Sequence, residues 1–166
     1  MLYLLDANVP IDANRDYYPI DRVPEFWDWL EHCGAHAHIK IPVEVYEEFK
    51  DGNDQLGEWA RQQSVRDALL LDEDADVDLV GRLVTQGYAP NLTDDEIDTL
   101  GRDPFLIAYA LADPQSRCVV TLEASKPSRQ RANRHVPDVC TELGVRWCDT
   151  FVMTRELNFS TNWRPS

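Results

Sequence analysis

The stretch Leu2-Tyr3-Leu4-Leu5-Asp6-Ala7-Asn8-Val9 decides the fold of this chain. Its continuous apolar run predicts a strand that is buried on both faces, as the central strands of parallel α/β sheets are. Ligands of open parallel sheets bind at the carboxyl ends of the strands, which is where Asp6 lies. In an extended segment Asn8 would point to the same side as Asp6. The stretch therefore predicts an α/β fold with a functional site at Asp6, to which other segments must contribute further acids.

Length and composition are those of a globular protein. The chain has 166 residues, of which 43% are hydrophobic and 28% are charged, enough to bury a sizeable core. We predict a single domain over residues 1–157, with a helical cap or insertion at 54–92 and a C-terminal tail at 158–166. The net charge of −14 should repel a polyphosphate. A nucleic-acid partner would therefore require bound metal, a local basic patch or high salt.

The cysteines and the hydropathy pattern bear on the compartment. The four cysteines, at positions 33, 118, 140 and 148, form no Cys-x-x-Cys pair, and no basic region precedes the first apolar run. These features predict reduced thiols in a cytoplasmic protein. No apolar run approaches the ~20 residues of a membrane helix, so we expect no membrane insertion.

A zinc site is one interpretation of His32, Cys33, His36 and His38. Structural zinc sites use separated ligand pairs, whereas here His32 and Cys33 are adjacent and Gly34 lies between the two halves. A helix end followed by a half-exposed strand explains these residues better.

Residues 24–34 predict a helix that packs on the sheet. Pro24 suits the first helical position, and Gly34 can end the helix. The apolar residues at helical spacing are Phe26, Trp27, Leu30 and Cys33. At the other end of the chain, Phe159 and Trp163 are predicted to dock the tail on the body.

The next predicted strand, Ile39-Lys40-Ile41, leads into a predicted helix over 42–52. Glu44 and Glu48 lie one turn apart on one face of that helix. Glu47 points about 100° away from Glu48 and fits a solvated face. Glu48 and Glu44 are therefore the candidates for a functional acid on this helix.

Several acids can be explained by helix capping alone. Thr93 and Glu96 have the spacing of a capping box. Asp103 precedes Pro104 and is predicted to cap the helix that follows, and Asp149 is predicted to cap the last helix. A structural role for Asp103 is thus reasonable on spacing alone.

Residues 117–123 predict another buried strand, which ends on the hydroxyl of Thr121 and the carboxylate of Glu123. The only basic cluster of the chain comes directly afterwards. Its members are Lys126, Arg129, Arg131 and Arg134. Because basic side chains supply most of the affinity for a nucleic-acid backbone, we predict that this cluster contacts nucleic-acid phosphates.

The acidic positions, taken in order, resemble those of the PIN-domain nucleases. The strand ending in Asp6-Ala7-Asn8 is similar to the start of that family. Glu48-Phe49 resembles its Glu-Leu-like pair on the helix after the second strand, with Glu44 in reserve. Asp103 followed by Leu106-Ile107-Ala108 resembles its Asp-Ala-Leu-Ile-Ala-Ala-like run, although Pro104 replaces the usual small residue.

The segment that carries the fourth acid resembles the family's Val-Thr-x-Asp segment. Thr121 stands in the place of its Thr, and Glu123 in the place of its Asp. Glutamate adds a methylene, so the resemblance favours ligation by Glu123 through water. The run Val136-Pro137-Asp138-Val139-Cys140 resembles a toxin-like branch of PIN proteins that is known mainly as a domain of unknown function.

The resemblance implies a three-layer α/β/α PIN-like fold with a mostly parallel sheet and an acidic pocket that binds Mg²⁺ or Mn²⁺. The implied metal ligands and catalytic residues are Asp6, Glu48, Asp103 and Glu123, supported by Asn8 and Thr121 in the second shell. The implied activity is hydrolysis of RNA phosphodiester bonds by the toxin of a toxin–antitoxin pair. A cognate antitoxin and a homodimer are the implied protein partners.

Two alternatives remain open from the sequence. A PIN fold that has lost turnover could serve as a binding module, because the fourth acid is changed to Glu123 and the net charge is strongly negative. A phosphatase of the haloacid-dehalogenase type would use Asp6 as its nucleophile. That family places a second Asp as general acid where this chain has Asn8, and an amide cannot donate a proton in that way.

Overall fold

The computed structural model describes residues 1–164 and has a three-layer α/β/α fold, which confirms the predicted fold class. Its central sheet has the strand order β2-β1-β3-β4, and every neighbouring pair is parallel. The strands are β1 (Leu2–Leu5), β2 (Ile39–Lys40), β3 (Arg117–Val120) and β4 (Arg146–Cys148).

Helices connect and cover these strands. They are α1 (Asn8–Asp12), α2 (Pro24–Ala35), α3 (Val43–Tyr46), α4 (Gln55–Ala60), α5 (Gln63–Leu69), α6 (Val77–Leu83), α7 (Asp94–Leu100), α8 (Asp103–Leu111), α9 (Val136–Glu142) and α10 (Thr150–Glu156). Two π-helical turns, Ala13–Tyr17 and Val84–Tyr88, continue α1 and α6, and a 3₁₀ turn spans Arg131–Asn133.

The two central strands, β1 and β3, bring together the polar residues that follow them. Leu5 of β1 is aligned with Val120 of β3, and both side chains are fully buried. Asp6 and Thr121 are the next residues of the two strands, so they emerge side by side at the carboxyl edge of the sheet. The apolar runs that fix the strands therefore also fix the position of this pair.

Helix α8 packs on both central strands. Its residues from Leu106 to Ala110 are all buried, so the helix is apolar on every face rather than amphipathic. Because Asp103 is the first residue of α8, burial of the helix holds this acid against the body of the protein.

The predicted helix over 42–52 is wrong in its length, since α3 ends at Tyr46 and the chain continues in turns. Beyond Tyr46 the backbone tightens, since the Glu48 amide donates to the Val45 carbonyl oxygen and the Phe49 amide to that of Tyr46, each three residues back. At the end of these turns Arg61 Nη1 donates to the carbonyl oxygens of Lys50 and Gly52 at 2.8 and 2.9 Å.

The helix predicted over 24–34 is confirmed, with Pro24 in its first position, but Gly34 does not end it. A Cβ atom on Gly34 would lie 2.6 Å from Leu69 Cδ2 and 2.7 Å from the Ala68 carbonyl oxygen of α5. Glycine at this position therefore allows α5, within the predicted helical segment 54–92, to pack closely on α2.

The predicted docking of the tail is confirmed. The Phe159 ring lies 5.0 Å from the ring of Trp29 and 5.5 Å from that of Phe26, measured between centroids. Trp163 Nε1 donates to the Glu25 carbonyl oxygen at 2.8 Å. Within residues 1–164, none of the helices has the length and apolar character needed to cross a membrane.

Candidate functional site

Asp6 is held by two hydrogen-bond donors at the carboxyl edge of the sheet. Thr121 Oγ1 donates to Asp6 Oδ2 at 2.7 Å, and Asn8 Nδ2 donates to the same oxygen at 2.8 Å. Asn8 is held in turn, because its Oδ1 accepts from the Leu122 amide at 3.0 Å. Asn8 begins α1 and is not in the extended conformation predicted for it, yet its side chain still turns back to Asp6. These contacts fix the orientation of the Asp6 carboxylate.

Asp103 does not cap α8, so the predicted capping role is wrong. Arg102 occupies the N-cap position, Asp103 is the first helical residue, and no side chain caps this terminus. Its carboxyl lies instead in the field of the other acids. The pKa of Asp103 is raised from 3.8 to about 8, mainly by burial and then by the charges of Asp6, Glu123 and Glu48, in that order of importance.

Glu48 lies on the exposed turn that follows α3. Partial loss of hydration raises its pKa, the charge of Asp6 raises it as well, and the guanidinium of Arg102 opposes both effects. Glu44 is placed differently. Its Oε1 accepts from the Tyr109 hydroxyl at 3.3 Å, and its buried Oε2 has no hydrogen-bond partner among the described residues. Glu48 therefore lies in the field of Asp6, whereas Glu44 lies against α8.

Glu123 is half-buried, and one of its carboxylate oxygens is engaged by the backbone. Oε2 accepts from the Val136 amide at 2.8 Å, where α9 begins, and lies 3.9 Å from His135 Nδ1. The Glu123 amide donates to Thr121 Oγ1 at 3.2 Å. Glu123 thus links the Asp6–Thr121 pair to the start of α9.

We call Asp6, Glu48, Asp103 and Glu123 the acidic cluster. Burial is the main cause that raises the pKa of Asp6; the Thr121 hydrogen bond opposes it, and the charge of Glu123 adds to it. In residues 1–164 no ion pair neutralises Asp6 or Asp103. Within the same residues, no three His, Cys, Asp or Glu side chains are arranged so that they could hold a metal ion. The cluster is therefore electrostatically coupled but not drawn together into a preformed ligand set.

The predicted basic cluster does not form one free patch. Arg131 donates to Glu96 Oε2 at 2.8 Å and to Oε1 at 2.9 Å, and it also reaches Asn91. Arg134 forms an ion pair with Glu142 at 2.6 Å. The prediction that all four cations face RNA is revised accordingly, because these two arginines are engaged within the fold.

Lys126 and Arg129 remain, and both are exposed in the loop after Glu123. Neither side chain has an ion-pair partner among the described residues. The Lys126 backbone amide donates to Asp138 Oδ2 at 2.8 Å, which ties the loop to α9. These two cations are therefore the part of the basic cluster that can meet an external anion.

Tyr88 is a neighbour of the cluster that the sequence did not identify. Its side chain is 7% exposed, and its buried hydroxyl has no hydrogen-bond partner among the described residues. Burial raises its pKa, and the charges of Asp103 and Glu123 add to the effect. The run Gly87-Tyr88-Ala89-Pro90 indicated only the end of a helix, so no local pattern could have revealed this proximity.

Fold and site together define a parallel α/β/α protein with a cluster of carboxylates at the carboxyl ends of its central strands. A family model described as "Domain of unknown function (DUF4411)" matches residues 3–161, and the chain belongs to this family. No curated protein and no solved structure matches the chain.

Proposed function

We propose that the protein is a metal-dependent ribonuclease of the PIN-domain type, which hydrolyses RNA phosphodiester bonds with Mg²⁺ or Mn²⁺. The observation that carries the proposal is the electrostatic coupling of the acidic cluster. Asp103, with a pKa near 8, experiences the charges of Asp6, Glu123 and Glu48, and no cation pairs with it in the described residues. Although Asp6 and Glu123 accept hydrogen bonds, the charges of the cluster repel one another, and such perturbed acids are common at functional sites.

The donor set of the cluster suits a hard divalent cation. Carboxylate oxygens are the ligands that Mg²⁺ and Mn²⁺ prefer, and a cation would relieve the mutual repulsion that raises the pKa of Asp103. Asp6, Asp103, Glu48 and Glu123 are the residues that would hold it. When bound, such an ion lowers the pKa of its water and counters the charge that develops on a phosphate.

The chain's own residues would prepare this chemistry. Thr121 and Asn8 orient Asp6 through bonds to one of its oxygens, as outer groups commonly do for metal-binding carboxylates. Glu48 is exposed, so that a substrate can reach it. Lys126 and Arg129 would attract the RNA backbone locally, which a chain with a net charge of −14 cannot do as a whole.

The proposal is tested by incubating the purified protein with RNA and Mn²⁺, in parallel with a chelator control and with a small phosphate ester. We expect cleavage of RNA that requires the metal and is lost in Asp103→Asn. Hydrolysis of the phosphate ester without cleavage of RNA would instead support a phosphatase that uses Asp6. Absence of both activities in a protein that binds RNA would refute turnover.

A binding module without turnover is the second candidate, and the environment of Glu123 favours it. One oxygen of Glu123 is already bonded to the Val136 amide, so it has less capacity to ligate than an unengaged acid. Such a module would bind RNA with the same affinity in wild type and in Asp103→Asn. A nuclease would lose cleavage on that substitution.

We extend the proposal to a biological setting: a cytoplasmic toxin that acts as a homodimer and is neutralised by a cognate antitoxin. Its support is the resemblance of residues 136–140 to the toxin-like branch of the PIN proteins. Expression of the wild type should arrest growth of a host cell, and Asp103→Asn should not. Equal growth with both proteins would contradict the toxin role.

A further inference from the structure

Two cysteines that the proposed function does not use lie beside each other on neighbouring strands. Cys118 of β3 and Cys148 of β4 have their Sγ atoms 3.7 Å apart, within S–H···S hydrogen-bonding distance. Cys118 is buried, and Cys148 is partly exposed. Both line a cavity of about 610 Å³, together with Tyr3, Trp147 and Glu156. The pair is therefore accessible to a small reagent.

We propose that Cys118 and Cys148 are a redox modification site, at which a hydroperoxide converts the two thiols into a reversible disulfide. One thiolate attacks the peroxide oxygen, which gives a sulfenic acid and releases water or alcohol after protonation. The second thiolate then attacks the sulfenic sulfur and expels hydroxide, which takes up a proton to form water. Two thiols are oxidised by two electrons and one peroxide is reduced, and a dithiol reductant reverses the change.

The environment of the pair favours formation of the first thiolate. Once Cys118 loses its proton, the Cys148 thiol can donate to it, and this hydrogen bond is the main cause that lowers the pKa of Cys118. The other two thiols are in the opposite situation. Burial raises the pKa of Cys33 to about 11 and also raises the pKa of Cys140. Cys33 and Cys140 are thus internal controls for reactivity.

Bond formation must displace strand β4. Cys118 is aligned with Arg146 and Cys148 with Val120, so the two cysteines are diagonal neighbours. A disulfide needs sulfurs at ~2.05 Å, whereas the two Sγ atoms lie 3.7 Å apart, so one of the strands must shift before the bond can form. Because β4 is three residues long and lies at the edge of the described sheet, it is the strand that can move.

Movement of Cys148 has a direct route to the acidic cluster. The Cys148 carbonyl oxygen accepts from the Thr121 amide at 3.0 Å, and the Thr121 hydroxyl donates to Asp6 at 2.7 Å. Oxidation should therefore loosen Thr121 and disturb the orientation of Asp6. The effect on activity rests on the proposed function, whereas the disulfide and the loosening of Thr121 do not.

The disulfide is tested on the full reduced chain, which is treated with hydrogen peroxide, alkylated and analysed by intact mass and peptide mapping. We expect the wild type to lose two hydrogen atoms and to yield a peptide pair linked through Cys118 and Cys148. Cys118→Ser and Cys148→Ser should form no such bond, and Cys33→Ser and Cys140→Ser should behave as the wild type. The proposal is overturned if Cys118 and Cys148 are recovered fully alkylated, or oxidised without a bond between them. This result is read from the wild type alone, so it does not depend on whether any variant folds.

The route to the site is tested by amide hydrogen exchange of reduced and oxidised protein. We expect faster exchange at Thr121 after oxidation and recovery after treatment with dithiothreitol. Unchanged exchange in a protein shown to carry the disulfide would disprove the route through Thr121. If RNA is not cleaved in either redox state, the proposed function fails, while the disulfide and exchange results remain decisive for this inference.

Discussion

Replacing Asp103 by Asn should stabilise the metal-free protein, and the gain should grow with pH. The carboxyl of Asp103 has its pKa raised from 3.8 to about 8, first by burial and then by neighbouring acids. Below about pH 4 the group is protonated in both the folded and the unfolded chain, so it contributes no difference. As the pH rises toward 8, the unfolded chain has already released this proton and the folded chain retains it, so stability falls.

The magnitude follows from that pKa. At about 1.4 kcal/mol per pH unit, the rise from 3.8 to about 8 corresponds to a loss of at most on the order of 6 kcal/mol when the folded carboxyl ionises. Asn has nearly the same shape and cannot ionise. The free energy of unfolding of Asp103→Asn should therefore equal that of the wild type near pH 4 and exceed it by several kcal/mol near pH 8.

The assay is urea unfolding followed by tryptophan fluorescence at a series of pH values, without metal and with Mn²⁺. Asp98→Asn, which removes an exposed carboxylate of α7, controls for the loss of one negative charge. Mn²⁺ should stabilise the wild type by mass action and Asp103→Asn much less. A difference that stays constant with pH, or that makes Asp103→Asn the less stable protein at pH 8, would refute the reasoning.

Three further predictions concern the surroundings of the cluster. Glu48→Gln should reduce RNA cleavage more than Glu44→Gln, because only Glu48 shares the field of Asp6; equal loss in the two variants would contradict this assignment. Replacing both Lys126 and Arg129 by Ala should weaken RNA binding at low salt. It should also reduce the slope of the logarithm of the RNA-binding constant against the logarithm of salt concentration by ~0.7 per lost phosphate contact, and an unchanged slope would contradict a docking role for these residues. Tyr88→Phe should leave the melting temperature unchanged or higher, because it removes a buried hydroxyl that has no partner among the described residues. It should also reduce the Mn²⁺-induced shift of the melting temperature. A destabilised variant would mean that this hydroxyl is hydrogen-bonded in solution.

The central strands could be predicted because burial is encoded locally. Four consecutive apolar residues precede Asp6 and three precede Thr121, and these runs require cover on both faces, which the packed helices supply. The end of α3 could not be predicted in the same way. After Tyr46 tighter turns replace the helix, because the Glu48 and Phe49 amides donate to carbonyl oxygens three residues back, and the spacing of apolar residues does not distinguish such turns from an α-helix.

The contacts of the basic cluster could not be predicted, because they involve residues that are distant in sequence. Four cations beside Glu123 were predicted to act together, but Arg131 binds Glu96, which lies 35 residues earlier. Glu96 itself belongs to a capping box with Thr93, a prediction that is confirmed. The charge of Arg131 is thus used to hold a helix start, and no local pattern distinguishes this arginine from Arg129.

Asp103 and Asp149 show why functional acids are hard to separate from structural ones by sequence. Each stands at the start of a helix, and both were predicted to be caps. Asp149 accepts from the Val152 amide at 2.8 Å, as a cap should. Asp103 lies one position further into its helix, forms no cap, and has its ionised form disfavoured. Substitution by Ala should therefore have opposite effects on metal-free stability at neutral pH: a loss of about 1 kcal/mol for Asp149→Ala and a gain for Asp103→Ala. A loss of stability in both variants would place Asp103 among the structural acids and remove the physical basis for treating the acidic cluster as a site.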